Sequence, residues 1–401
     1  MLPSGVPRKR LAGAVFLALA ASLLPAGTDL LPERVAEVSR QVEQVRGRKF
    51  ERPVPAVELD PAEARRILKA KIVESLPSSA EEYFRSLAIL GLIEDAPGVL
   101  DRLVDFYAGQ VVAFYDPEPR RFFVVRGAEG AVSSDVPGMA GLAQSLIYSH
   151  ELMHALQDET MKLDARTKAL KDDSDRGFAL QALLEGEATF VMIKVALKDI
   201  PGADEKAEEE LAPLLTSGGL ERANVPKGVP AYFVDQLFFP YAEGSAFVRA
   251  AYEKGGWAEV DRFWRNPPAS SAEIIHGAPY PPPVEGLIPP NPASLFGGAR
   301  VAYTDTLGEW TLRFLLGRAL PEEEAAAASA GWRGDRIAFA VPDGKMGYLW
   351  RIRFDDAAAA ERFEAAIKKA RAARPLPLPE TVRRSGRDVT LAVGLAKIPE
   401  L

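Results

Sequence analysis

Apolar residues in this chain recur mostly at helical spacing, and only a few short runs are rich in β-branched or aromatic side chains. Leu31 to Arg46 is charged and periodic. Asp60-Pro61 offers an N-cap and a first-turn proline to a run ending at Glu74, and Ser79 opens another run, so residues 30–107 are expected to be mostly helical. Gln110–Tyr115 and Arg121–Val125 flank Asp116-Pro117-Glu118-Pro119, which predicts a β-hairpin. Long helices are expected over Met139–Asp158 and Asp175–Lys198, and further helices over Tyr232–Tyr252 and Trp257–Trp264. The acidic stretch between Pro201 and Pro213 (Asp204, Glu205, Glu208, Glu209, Glu210) reads as a solvated helix or loop.

Gly277 to Gly297 holds seven prolines in 21 residues and should run as an extended connector over the surface. Beyond it, Thr306–Leu320 predicts a helix. Arg336–Val341, Tyr348–Phe354 and Asp355–Arg371 predict strand, strand and helix, and Val389–Val393 a last strand. No internal repeat is present. The pattern specifies an α+β fold, helix-rich with a small hairpin, followed by a small α+β C-terminal module.

Composition narrows the function. Of 401 residues 47% are apolar and 26% charged, which suits a packed globular protein and excludes a disordered chain. Forty-nine basic against 56 acidic residues give a net charge of −7. An acidic body repels phosphate backbones, so nucleic acid is not an expected partner. There is no cysteine, which excludes disulfides, thiolate catalysis and cysteine zinc sites. Any metal must be held by histidine and carboxylate.

Arg8-Lys9-Arg10 precedes an apolar run, Leu11 to Leu24, and then Pro25-Ala26-Gly27. This is the layout of a secretory signal peptide, with cleavage after Ala20 or Ala26. An uncleaved anchor is the alternative, but the run is shorter than the ~20 residues a span needs. Export to a periplasm or the outside is expected, with no membrane span left after cleavage.

The chemistry concentrates at His150-Glu151-Leu152-Met153-His154, an H-E-x-x-H motif. Residues four apart on a helix differ by about 40° in direction and one turn in height, so both imidazoles can reach one ion. Catalytic zinc takes three protein ligands and a water, and Glu151 stands where it can take the proton of that water. The metal lowers the water's pKa towards ~7. This chain has only three histidines, and two of them are here. Leu142, Leu146 and Ile147 continue the face of His150, so the helix should be buried where the histidines project. Asp158, one turn past His154, is a candidate acceptor for that histidine's free N–H, or else a surface residue.

A third ligand is not at the spacing a metzincin needs, since Gln157 and Thr160 stand where glycine and histidine would be. Downstream lies Leu184-Glu185-Gly186-Glu187-Ala188-Thr189 on a second apolar helix. Glu185 and Glu187 are about 200° apart on a helix, so only one can face the ion. Leu183, Leu184, Phe190 and Val191 lie on the Glu187 side, which makes Glu187 the candidate for burial and keeps it open as the third ligand beside Glu185. Glu185-Gly186-x-Ala188 resembles the N-E-G-x-A segment of zinc aminopeptidases, and that resemblance implies Glu185 as the third ligand of a gluzincin-type site.

Further blocks belong with these. Ala113-Phe114-Tyr115-Asp116-Pro117, Phe239-Pro240-Tyr241 with Gly244, Ser271-Ala272-Glu273-Ile274-Ile275-His276 and Gly331-Trp332-Arg333-Gly334-Asp335-Arg336 are similar to blocks of a family of exported bacterial and archaeal H-E-x-x-H proteins. The likeness runs from about residue 110 to 340. It implies a zinc metallopeptidase fold and names no substrate. Where such proteins typically read His-Pro-x-x-Tyr, this chain has His276-Gly277-Ala278-Pro279-Tyr280, so the local loop must differ. Zincins usually add a histidine or tyrosine that donates to the oxyanion, and His276 and Tyr241 are the two candidates.

The expected organisation is a signal peptide over 1–26, an N-terminal helical region over 27–107 and a zincin-like catalytic domain over 108–276. The connector 277–297 and the C-terminal α+β module 298–401 follow. The expected activity is that of an exported hydrolase carrying one zinc per chain, with a peptide or protein as substrate. His150, His154 and Glu185 hold the metal, Glu151 is the general base, and the hairpin offers an edge strand to an extended peptide. The alternative is a non-catalytic, metal-stabilised envelope protein whose C-terminal module binds a partner.

Overall fold

The structure is a computed structural model that describes residues 31–128, 139–198, 200, 206–208 and 225–395. The apolar run Leu11–Leu24, both candidate cleavage points and most of the acidic stretch after Pro201 lie outside the described residues. Along the chain come α1 (Leu31–Arg46), β1 (Ala56–Leu59), α2 (Pro61–Ser75), α3 (Ala80–Leu90), α4 (Val99–Ala108), β2 (Ala113–Asp116) and β3 (Arg121–Val125). Next are α5 (Met139–Met161), α6 (Leu163–Lys168), α7 (Ser174–Leu197), α8 (Ala231–Arg265) and α9 (Ser271–His276). The C-terminal part holds β4 (Val301–Asp305), α10 (Gly308–Gly317), α11 (Glu322–Ser329), β5 (Trp332–Ala340), β6 (Gly347–Phe354), α12 (Ala357–Ala373), β7 (Glu380–Ser385) and β8 (Asp388–Val393). The molecule is α+β, with two separate sheets. No described helix is long and apolar enough to cross a membrane.

Local signals account for many helix starts. Asp60 accepts from Glu63 N at 2.8 Å with Pro61 in the first turn of α2, and Ser79 accepts from Glu82 N to open α3. α8 loses helical geometry at Gly255 and Gly256, the gap between the two helical stretches read from sequence.

α7 is the central helix. It is apolar nearly all round and buried over most of its length, as a helix enclosed by others must be. α5 and α8 flank it, and α1 lays the stripe Leu31, Val35, Val38 and Val42 onto the same core. α7 and α8 touch backbone to backbone. A Cβ on Gly186 would stand 2.1 Å from the Gly244 carbonyl carbon, and one on Gly244 would stand 2.0 Å from Ala182 O. Glycine at both positions is what lets the helices approach this closely.

The hairpin is present, with Ala113 to Asp116 paired antiparallel to Val124 through Arg121. It is part of a larger sheet: β1 adds in parallel to β3, giving the order β1-β3-β2 and leaving β2 at an edge. The C-terminal sheet has order β4-β5-β6-β8-β7, with every pair antiparallel. α10 and α12 pack on it, and α11 packs on both helices. The connector 277–297 runs without regular structure as far as a single 3₁₀ turn at Pro292–Phe296, tied to the start of β5 by Val284 N→Arg333 O at 2.7 Å.

The N-terminal helical region does not pack as one body. α1 belongs to the α5/α7/α8 core, whereas Phe84, Leu87 and Leu90 of α3 and Val99 and Leu103 of α4 share a core with the C-terminal sheet. Phe178 at the start of α7 and Tyr232 and Phe233 at the start of α8 reach the same cluster.

Candidate metal centre

α5 presents His150 and His154 one turn apart, and α7 presents Glu185 opposite them. His150 Nε2 lies 3.0 Å from Glu185 Oε2, His154 Nε2 lies 3.2 Å from His150 Nε2, and His154 Nε2 lies 3.4 Å from Glu185 Oε2. Ligand atoms at ~2.0–2.2 Å from a tetrahedral ion stand about 3.3–3.6 Å apart. Three donor atoms on three residues thus converge at nearly the separation a small divalent ion requires. The triad is a candidate metal site. It is the one such His/carboxylate cluster among the described residues.

The electrostatics show how strongly the three groups interact. Burial alone would raise the Glu185 carboxyl, but the two imidazoles, His154 foremost, hold it well below the usual carboxylate range. Burial would lower His154, yet Glu185 outweighs it and lifts the imidazole to about 9. A proton and a divalent cation would compete for the same lone pairs here, so metal uptake would release a proton.

Glu151 is aimed by the sheet. Burial raises its carboxyl, against the two histidines and one backbone N–H. That N–H belongs to Tyr115, which donates to Glu151 Oε2 at 3.0 Å from the outward edge of β2. The Tyr115 hydroxyl donates to Asp158 Oδ2 at 3.0 Å, so a single strand residue grips α5 at two points two turns apart. Asp158 also accepts from Leu163 N at 2.8 Å, where α5 gives way to α6, and is only 2% exposed. It therefore neither holds His154 nor sits on the surface. The partner of His154 Nδ1 is Gln157, whose Oε1 lies 2.8 Å away. Sequence reasoning passed over Gln157, although its place three residues after His154 on the same helix face was the available signal.

Glu187 is fully buried, as its apolar neighbours suggested, but it faces away from the triad. Its oxygens accept from Arg46 Nε (2.7 Å), Gln157 Nε2 (2.9 Å) and Trp264 Nε1 (2.6 Å). Tyr241 stacks on His150 with ring centroids 5.7 Å apart and planes 19° apart. Burial, then the neighbouring Glu185 and Glu151 carboxylates, push its phenol well above the ordinary value.

The structure engages His276 elsewhere. It ends α9, not a loop, and its Nε2 lies 2.9 Å from both oxygens of Glu309 in α10. Its ring stacks on Tyr280, and Arg313 also pairs with Glu309.

A cleft of about 540 Å³ opens on His154 and Glu185. Its lining includes Leu163, Leu170, Phe178, Leu184 and Tyr115, together with Lys71, Lys168 and Lys171.

Residues 297–396, the stretch that begins before β4 and ends after β8, match a family described as a domain of unknown function (DUF8575). No curated protein and no solved structure matches the chain.

Proposed function

We propose that the protein is an exported zinc-dependent hydrolase of gluzincin type, acting on peptide bonds. The observation that carries the reading is the convergence of His150, His154 and Glu185 beside a Glu151 whose carboxylate is already aimed by Tyr115 N–H. Two imidazoles and a carboxylate are the donor set of catalytic zinc, and they leave a coordination position open. When bound, zinc supplies Lewis acidity and a water acidic enough to attack near neutral pH.

The chain's own residues do the rest. Glu151 Oε2 is occupied by Tyr115 N–H, which leaves Oε1 as the atom that takes the proton of the attacking water and passes it to the leaving amine. Tyr241, against His150, is placed to donate its phenolic proton to the developing oxyanion. Its hydroxyl stays protonated across the working range because burial keeps it so. His276, tied to Glu309, is left as a residue that braces α9 against α10. The substrate lies along the outer edge of β2 and places an apolar side chain among Leu163, Leu170, Phe178 and Leu184.

The alternative of a metal-stabilised binding protein gives Glu151 only the task of tying α5 to Tyr115 N–H. A quenched-peptide library rich in apolar residues tests the choice. Hydrolysis by the zinc-loaded chain, lost in Glu151→Gln with zinc retained, is the expected result. Zinc binding with no hydrolysis of any peptide would favour the binding protein.

A further inference from the structure

The buried polar groups behind His154 form a chain that reaches the N-terminal helix. His154 Nδ1 meets Gln157 Oε1 at 2.8 Å, and Gln157 Nε2 donates to Leu184 O at 3.1 Å and to Glu187 Oε2 at 2.9 Å. Glu187 is paired with Arg46 at 2.7 Å, both side chains at 1% exposure or less. Arg46 continues to Asp261 and lies over the rings of Trp257 (4.4 Å) and Trp264 (4.7 Å). Gln157 is itself fully buried, so its amide has no water to turn to.

This arrangement admits one amide orientation. Leu184 O and the Glu187 carboxylate are both acceptors, so the NH₂ group of Gln157 must face them. The carbonyl oxygen must then face His154, where it accepts only if Nδ1 carries the hydrogen. With Nδ1 protonated, the lone pair of the neutral imidazole is on Nε2, the atom that points at His150 Nε2 and Glu185 Oε2.

We infer that Gln157 is the positioning residue of His154, and that the buried Glu187–Arg46 ion pair locks its amide so that Nε2 is always presented to the metal. The inference rests on the reading of the triad as a metal site. It gives the second acidic residue of Glu185-Gly186-Glu187 a role distinct from the first. Glu185 ligates directly, and Glu187 acts two hydrogen bonds away. It also makes α1 part of the metal centre, because Arg46 is its last residue.

The test is zinc affinity of the full chain, measured by competition with a chelator of known strength, beside ¹⁵N-histidine spectra of the zinc-loaded protein. Three histidines keep those spectra simple. Gln157→Leu removes the acceptor at similar volume and should weaken zinc roughly 10- to 100-fold, with the His154 Nδ1–H proton moving upfield. Glu187→Gln alters neither a ligand nor the residue bonded to it. It replaces one of the two acceptors that hold the NH₂ group of Gln157 and leaves Leu184 O as the other, so it should weaken zinc several-fold and shift the same proton. This second variant decides the matter where Gln157→Leu does not fold.

Wild-type affinity and an unmoved Nδ1–H signal in folded Glu187→Gln would overturn the lock. The same result in Gln157→Leu would overturn the positioning role. His154→Ala separates these failures from failure of the metal site: if it too keeps its zinc, the triad is not the ligand set and the inference falls with it.

Discussion

Asp335 in β5 is a buried carboxylate and Glu185 in α7 a half-buried one, and their surroundings differ in what they leave for a ligand. Asp335 accepts from Leu307 N, Gly308 N, Trp332 Nε1 and Trp350 Nε1 at 2.7–3.1 Å. Four donors saturate it, and it fastens α10 to β5 and β6. Glu185 has two imidazole nitrogens and the Tyr241 hydroxyl for neighbours, and one oxygen of it lies within 3.4 Å of both imidazole Nε2 atoms. The C-terminal module closes its polar groups on one another. Among the described residues, the helical core keeps one His/carboxylate set close enough to hold a cation. A carboxylate withdrawn from solvent is therefore informative through its donors, since both regions hold one.

The largest expected effect breaks the open side of that contrast. The purified chain should hold about one zinc, and His150→Ala or His154→Ala should lose it together with any hydrolysis. Atomic absorption after dialysis reads this directly. Glu185→Ala should likewise strip the metal, whereas Glu187→Ala should retain a weakened site and lose stability. Removing one partner of a buried ion pair costs about 3–5 kcal/mol, so the Glu187→Ala loss should show in denaturant unfolding.

Glu151→Gln comes next, with kcat reduced about 10²- to 10⁴-fold at unchanged zinc content. Tyr241→Phe should reduce kcat about 10²- to 10³-fold, the usual loss for one oxyanion donor, again with zinc retained. His276→Ala sharpens the comparison from the closed side. It should leave turnover near wild type and cost about 1–3 kcal/mol of stability by stripping a partner from fully buried Glu309. Turnover lost in His276→Ala but kept in Tyr241→Phe would exchange the two roles.

The smallest effect is a slope. Asp305 is pushed up to about 7, burial outweighing the hydrogen bonds from Ser174 and Thr306. Its unfolded value is about 3.9, so between these pH values the folded chain binds more protons than the unfolded one. Stability should fall as pH rises through that window. Asp305→Asn keeps an acceptor for the two N–H groups and should make the fall shallower, as urea unfolding at several pH values will show.

Several features were legible because they are local. The spacing of His150 and His154, the caps at Asp60 and Ser79 and the turn between β2 and β3 each depend on residues a few positions apart. The missed strands have physical reasons too. Ala56–Leu59 is four residues long and shows too little alternation to read, and Glu380–Ser385 is polar at most positions because β7 is an edge. Glu322–Ser329 is alanine- and glutamate-rich, with no apolar stripe to mark it as a packed helix.

The amino-acid sequence by itself determined the α+β class, the pair of histidines on one helix face and the rule that only one of Glu185 and Glu187 could join them. The tertiary structure decided which one. Helical spacing sets two side chains on opposite faces but says nothing of what each face meets. That depends on α5, α8 and α1, which are distant in sequence. The backbone contact between Gly186 and Gly244 brings α8 against Glu185, and Arg46 and Trp264 arrive to cover Glu187. The same packing placed Tyr241 on His150 and drew His276 to Glu309, because a residue's partners are set by which helices share a core and not by its distance along the chain.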